Sequence, residues 1–235
     1  MLFNLISSGN VRDAIISFLL SVPIIILVLS AHEYAHGYVA NKLGDPTAES
    51  LGRLTLNPLK HIDPIGFLMF LVAGVGYARP VPINSRYFKK PRRDMALVGV
   101  AGPLTNFVMA IIFVGLLKLA SLLYGILPDA TPTIVFETKI YVCTIFSLGA
   151  IYNLMFAFFN LIPIPPLDGS RVLYAFLPSK ALFWMQHREK YFFWGLLGVI
   201  LICNIFDISI IGIPVNLVRI LLYMIFQIPL DYYIY

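Results

Sequence analysis

Charge is scarce in this chain. Of 235 residues only 12% are Asp, Glu, Lys or Arg, against 59% hydrophobic and a mean hydropathy of +0.85. Soluble domains carry about 25% charged residues, so an ordinary water-soluble fold is excluded and a bilayer is the expected solvent. Cysteine is scarcer still: Cys143 and Cys203 stand alone in apolar stretches with no CxxC pair. They read as buried thiols and fix no redox compartment. No polar run is long enough to fold alone, and internal repeats and low-complexity tracts are absent. Residues 1–235 are therefore expected to form one integral-membrane domain, with its core at about 14–178 and C-terminal helices within 191–235. The start, MLFNLISSGNVRD, lacks the basic region and small-residue cleavage site of a signal peptide, so the apolar run behind it should be retained as a span.

What is abundant is long apolar sequence. Residues 14–31 open a first span that should run helical to about Ala40, with Pro23 tolerated as a kink. Residues 95–124 and 140–162 read as second and third crossings. Residues 191–212 read as another and 215–228 as a weaker one, in a tail interrupted by Asp207, Pro214 and Arg219. Residues 65–78 are apolar but too short to cross, and they carry Gly66, Gly74 and Gly76. The expected fold is an all-α polytopic membrane protein of about five to six transmembrane helices, with a re-entrant Gly-rich segment near 65–84.

Lys and Arg are unevenly placed. Loops 41–64, 79–94 and 170–190 hold three, six and four, while the opposite side holds Arg12 and Lys139. By the positive-inside rule those three loops are cytoplasmic. The +5 net charge, densest in RYFKKPRRD at 86–94, is then a topology and lipid-headgroup signal, and no nucleic-acid partner is expected.

Against this background Ala31-His32-Glu33-Tyr34-Ala35-His36 conflicts with its surroundings. Imidazoles four residues apart lie on one helical face, about 6 Å apart along the axis, and can reach a single metal ion. Glu33 follows the first and can accept a proton from water at that metal, the arrangement of zinc peptidases. Ionisable groups at membrane depth are costly, which makes them functional candidates. His32 lies about 27 Å along the axis from Ala14, close to the cytoplasmic edge of a ~30 Å hydrocarbon layer.

Two histidines do not complete a catalytic zinc site, which takes a third protein ligand and one open position. Lys42 stands where an extended motif would carry a third histidine, and Val39 replaces its glycine. His61 and Asp63 read as surface or turn residues. Asp168 is better placed, following a crossing that ends on the cytoplasmic side, although an N-cap role for the helix GSRVLYAFL would suit it equally. Pro163, Pro165 and Pro166 should hold the chain before it as a stiff extended arm. Asn153 and Asn160 share one face of the third crossing and suit interhelical hydrogen bonds. Asn160 also suits a donor to a scissile carbonyl or a substrate backbone.

HEYAH at 32–36 with NLIPIPPLDG at 160–169, together with AGPLTN at 101–106 and GYARPVPIN at 76–84, resembles the site-2 protease family of intramembrane zinc metalloproteases. The resemblance covers roughly residues 14–178. It implies one Zn2+ held by His32, His36 and Asp168, with Glu33 as catalytic acid and base. It implies hydrolysis of peptide bonds in or near transmembrane segments of membrane proteins, as in regulated intramembrane proteolysis. It further implies that Asn160 and the Gly-rich segment with Gly74 and Gly76 hold substrate, at a site facing the cytoplasmic side of the cell membrane. With no PDZ insertion and no CBS domain, the chain resembles the minimal type, which leaves substrate identity and oligomeric state unassigned.

The main alternative is a transporter or metal-permeating channel, which needs ionisable residues spread through its crossings; mid-span this chain offers little beyond Lys118. A peptidase taking its third ligand from an ExxxD motif is excluded, since none of Glu49, Glu137 and Glu189 has Asp four residues on. An inactive scaffold is disfavoured because all four catalytic positions are filled.

Overall fold

The computed structural model describes residues 11–66, 78–125, 133–206, 208 and 210–228. Its helices are α1 (Val11–Lys42), α2 (Thr47–Ser50), α3 (Pro91–Gly125), α4 (Thr133–Leu161), α5 (Asp168–Phe176), α6 (Ser179–His187), α7 (Glu189–Ile205) and α8 (Gly212–Ile225). Single 3-10 turns occupy Pro58–Lys60 and Ser85–Tyr87. Among the described residues extended pairing is confined to one antiparallel bridge between Ile62 and Ala78. Lipid offers the backbone no hydrogen bonds, and a helix satisfies its own.

Residues 18–42, 91–125 and 138–161 are long and apolar enough to cross a membrane. Their outward faces expose Leu19, Leu27, Leu104, Val108 and Leu119. Such faces would associate in water but are solvated by acyl chains. α7 and α8 are apolar too, but only 17 and 14 residues long.

α1, α4, α5 and α8 pack around α3. Its buried face runs through Gly99, Gly102, Asn106, Ala110, Phe113 and Leu117 at helical spacing. The small residues at the start of this face let α1 and α5 approach closely. Towards the other end, Phe113, Val114 and Leu117 fill a core with Cys143, Ala150 and Tyr223. There the Lys118 ammonium donates to the Gln227 carbonyl (2.8 Å), just past the C-terminus of α8. The one cation noted mid-span is thereby matched to a helix end.

Several local expectations need correction. α4 begins at Thr133, about seven residues before the crossing expected over 140–162. The proline-rich stretch after α4 is a tight turn and no extended arm. Ile164 N–H donates to Ile162 O (2.8 Å) and Leu167 N–H to Ile164 O (2.9 Å), and the Pro165–Pro166 peptide is cis. Proline fixes φ but leaves ψ open, so a proline run turns where packing demands it. Gly169 backs onto the Leu161 and Ile162 carbonyls, where any side chain would overlap. Asn153 donates to Gly149 O of its own helix (2.8 Å), not across helices, and Cys203 is only half-buried. Gly74 and Gly76 lie outside the described residues. The flanks of that segment are described: besides the Ile62–Ala78 bridge, Arg79 N–H donates to His61 O (2.8 Å). The chain thus returns beside the point where it left.

Candidate metal centre

α1 delivers His32 and His36 to one face, one turn apart, and α5 delivers Asp168 as its first residue. All three are buried. Asp168 Oδ2 lies 2.9 Å from His32 Nε2 and 2.9 Å from His36 Nε2, and the two Nε2 atoms are 3.0 Å apart. Asp168 does not cap its helix: Leu167 holds the N-cap position, with no side-chain bond. The carboxylate is turned to the imidazoles instead. Gly102 makes the approach sterically feasible, because a Cβ there would sit 2.6 Å from His32 Nε2 and His36 Nε2. Gly99 does the same for α5, where a Cβ would meet Asp168 O at 2.9 Å.

The hydrogen bonds around this group argue for a cation within it. His36 Nδ1 lies 2.7 Å from Val98 O. A carbonyl only accepts, so Nδ1 carries the proton and, in a neutral ring, Nε2 presents a lone pair. That lone pair faces a carboxylate oxygen and a second imidazole nitrogen at about hydrogen-bonding distance. Left alone, the His36 lone pair and the Asp168 oxygen repel; a divalent ion between them would convert repulsion to ligation. Two histidines and one carboxylate form the donor set of catalytic zinc, and neighbouring ligand atoms in tetrahedral zinc sit roughly 3.3 Å apart. Opening the group by a few tenths of an ångström meets that spacing. Of the Asp168 carboxylate, Oδ2 is the atom turned to both rings. Arg171 Nη1 stands 3.6 Å from its other oxygen.

Glu33, on the next residue of α1, is half-buried and accepts the Val81 N–H on Oε2 (2.9 Å). Val81 belongs to a non-helical run at 79–84 that is pinned at both ends. Arg53 Nη2 donates to Arg79 O (2.8 Å) and Pro80 O (3.2 Å), and Asn84 N–H donates to Asp45 Oδ2 (2.6 Å). Asp45 is fully buried and also accepts the Thr47 N–H (3.0 Å). Loop 41–64 is therefore a clamp on the segment that holds Glu33. Sequence reasoning passed over Asp45, Arg53, Val81 and the role of Gly102. Asp45, in Gly-Asp-Pro-Thr, carried the signal of turn chemistry, while Val81 and Gly102 lay within GYARPVPIN and AGPLTN, motifs of the resemblance that gave neither residue a role.

His61 is corrected as well. It is buried, not superficial, with its ring within 2.7 Å of Thr55 O, because the loop folds over it and supplies a carbonyl partner. Asp63 accepts the N–H groups of Ile65 and Gly66, as a turn residue does. Asn160 donates to Phe156 O of its own helix (3.0 Å).

The family model described as "Peptidase family M50" matches residues 20–139 and 134–202. The chain is 45% identical over 169 residues to "Putative zinc metalloprotease YwhC" of Bacillus subtilis, covering 72% of this chain and 74% of that protein. It is 27% identical over 175 residues to "Zinc metalloprotease MJ0392" of Methanocaldococcus jannaschii, covering 74% of this chain and 38% of that protein. No solved structure matches the chain.

Proposed function

Because the chain belongs to peptidase family M50, the site-2 protease family of zinc metalloproteases, we propose that it cuts membrane-protein substrates within or beside their transmembrane segments. The observation that carries the reading is a buried His-His-Asp group, flanked by a glutamate, at one end of span-length apolar helices. All of it belongs to a single domain, residues 1–235.

His32, His36 and Asp168 hold the ion, with His36 fixed in one tautomer by Val98 O. A zinc ion held there would supply Lewis-acid polarisation of a scissile carbonyl and would bring the pKa of water at the site towards ~7. Glu33 takes the proton from that water and returns it to the leaving amine. The Val81 N–H on Oε2 keeps the carboxylate aimed while its other oxygen works. A primary amide has two N–H donors, and Asn160 uses one on Phe156. The second holds the substrate backbone. A transmembrane helix hides its peptide bonds, so substrate unwinds locally and lies extended along the Gly-rich segment, including Gly74 and Gly76, and the run that follows it. The site faces the cytoplasm in the cell membrane. α1 ends in Lys42 and α3 begins behind the basic cluster, so both approach the centre from the Lys- and Arg-rich side. Cleavage there fits regulated intramembrane proteolysis.

Glu33→Gln tests the reading in protein reconstituted with a synthetic membrane-spanning peptide. The variant is expected to keep its zinc and lose at least about 100-fold in cleavage, the scale of a general acid–base group. Wild-type cleavage by the variant would overturn the proposal.

A further inference from the structure

Beside the metal centre, the first turns of α3 and one face of α5 enclose an open groove of about 640 Å3. Its floor is apolar, made by Ala96, Leu97 and Val100 of α3 with Val172, Ala175 and Phe176 of α5. Its rim is cationic: Lys90, Arg92 and Arg93. Arg93 is paired with Asp94 (2.8 Å). Among the described residues Arg92 reaches only neutral partners, Leu177 O (3.1 Å) and Ser179 Oγ (2.9 Å), and forms no ion pair. Lys90 donates its backbone N–H to Asp94 Oδ2 (2.9 Å), but its ammonium forms no salt bridge among the described residues.

The depth of the groove follows from the helices. α3 begins at Pro91, and its wall ends at Val100, about 14 Å further along the axis. That is the span from the headgroups into the upper acyl chains. Exposed Phe183, Trp184, Tyr191 and Trp194 lie on the elements that follow Ser179, to which Arg92 is tied. Aromatic side chains of this kind gather at a membrane interface. An apolar floor below a cationic rim at this level is complementary to a molecule that is apolar in its length and anionic at its head. A soluble phosphate needs no floor, and a neutral lipid needs no rim.

We propose that this groove binds an anionic phospholipid, with an acyl chain along Val100 and Val172 and its phosphate at Lys90 and Arg92. Because α5 forms one wall and begins with Asp168, an occupied groove steadies the helix that presents the carboxylate to the two histidines. Lipid composition thereby sets how firmly the ion is held. This second effect rests on the metal-centre reading; lipid binding itself does not.

The experiment uses the full chain in nanodiscs of phosphatidylcholine alone or mixed with phosphatidylglycerol. Bound lipid is read by native mass spectrometry after release into detergent, and zinc loss is followed with a chelator. Wild type is expected to retain phosphatidylglycerol preferentially and to lose zinc more slowly when that lipid is present. Val172→Trp and Ala96→Phe, which fill the floor from opposite walls, are expected to lose the retained lipid. Lys90→Glu should lower the preference at least about fivefold, on the scale of one basic group at a headgroup, with thermal unfolding confirming that the variant is folded. Equal retention of both lipids by wild type, or unchanged retention in folded Lys90→Glu, overturns the site. Preferential retention without any effect on zinc loss keeps the site and overturns its coupling to Asp168. Displacement of the retained lipid by glycerol phosphate alone would also overturn it, since the floor would then contribute nothing.

Discussion

A methyl group at position 102 would sit 2.6 Å from ring atoms of both His32 and His36. α1 and α3 are packed together along this face, so what yields is the rings. Gly102→Ala should therefore weaken zinc binding by at least about tenfold, as loss of a supporting contact at a metal site does. Competition with a chromogenic chelator measures this, with circular dichroism to show that the helices persist. His32, Glu33, His36 and Asp168 stood out in the sequence because ionisable side chains are rare in so apolar a chain. Gly102, Val98 and Val81 did not, because they act through a missing side chain, a carbonyl and an N–H, none of which leaves a trace in composition. His61 was misplaced for a related reason: whether a polar ring is buried depends on the loop that covers it, and Thr55 O is not readable as its partner in advance.

The run at 79–84 is the element that joins loop 41–64 to Glu33. Arg53 and Asp45 hold its ends, and Val81 holds Glu33. Val81→Pro removes that N–H and keeps an apolar side chain of similar size at a buried position, between neighbours that are already prolines. Cleavage is expected to fall about 10- to 100-fold with zinc affinity unchanged, because misaiming a reacting group costs rate without touching the ligands. Loss of zinc together with activity would show that the run supports the fold and does not aim Glu33. At this scale the long helices were legible, since an apolar stretch in lipid has little choice but to coil. The turn at 162–167 was not, because proline restricts one backbone angle and tertiary packing, here around Gly169, sets the other.

For the whole molecule the asymmetric placement of Lys and Arg makes a directional prediction. In a background with Cys143 and Cys203 replaced, Lys89→Cys should react with a membrane-impermeant maleimide only from the cytoplasmic side, and Lys139→Cys only from the other. Labelling of Lys89→Cys from outside would invert the topology and with it the proposed access to the site. The membrane class and helical architecture were legible from composition alone. The crossings of the tail were less so, since α7 and α8, at 17 and 14 residues, fall short of the other apolar helices. The juxtaposition of α1 and α5 came from α3: its glycines admit both, and no local pattern in either partner announces the meeting.

That meeting is tested most directly by the zinc content of purified protein, wild type against Asp168→Ala, each equilibrated with the same free zinc concentration and measured by mass spectrometry. The account predicts one zinc per wild-type chain and a large loss in the variant, because removing the carboxylate leaves two imidazoles, short of the three protein ligands a catalytic site uses. An Asp168→Ala protein that holds zinc as fully and as tightly as wild type would contradict it.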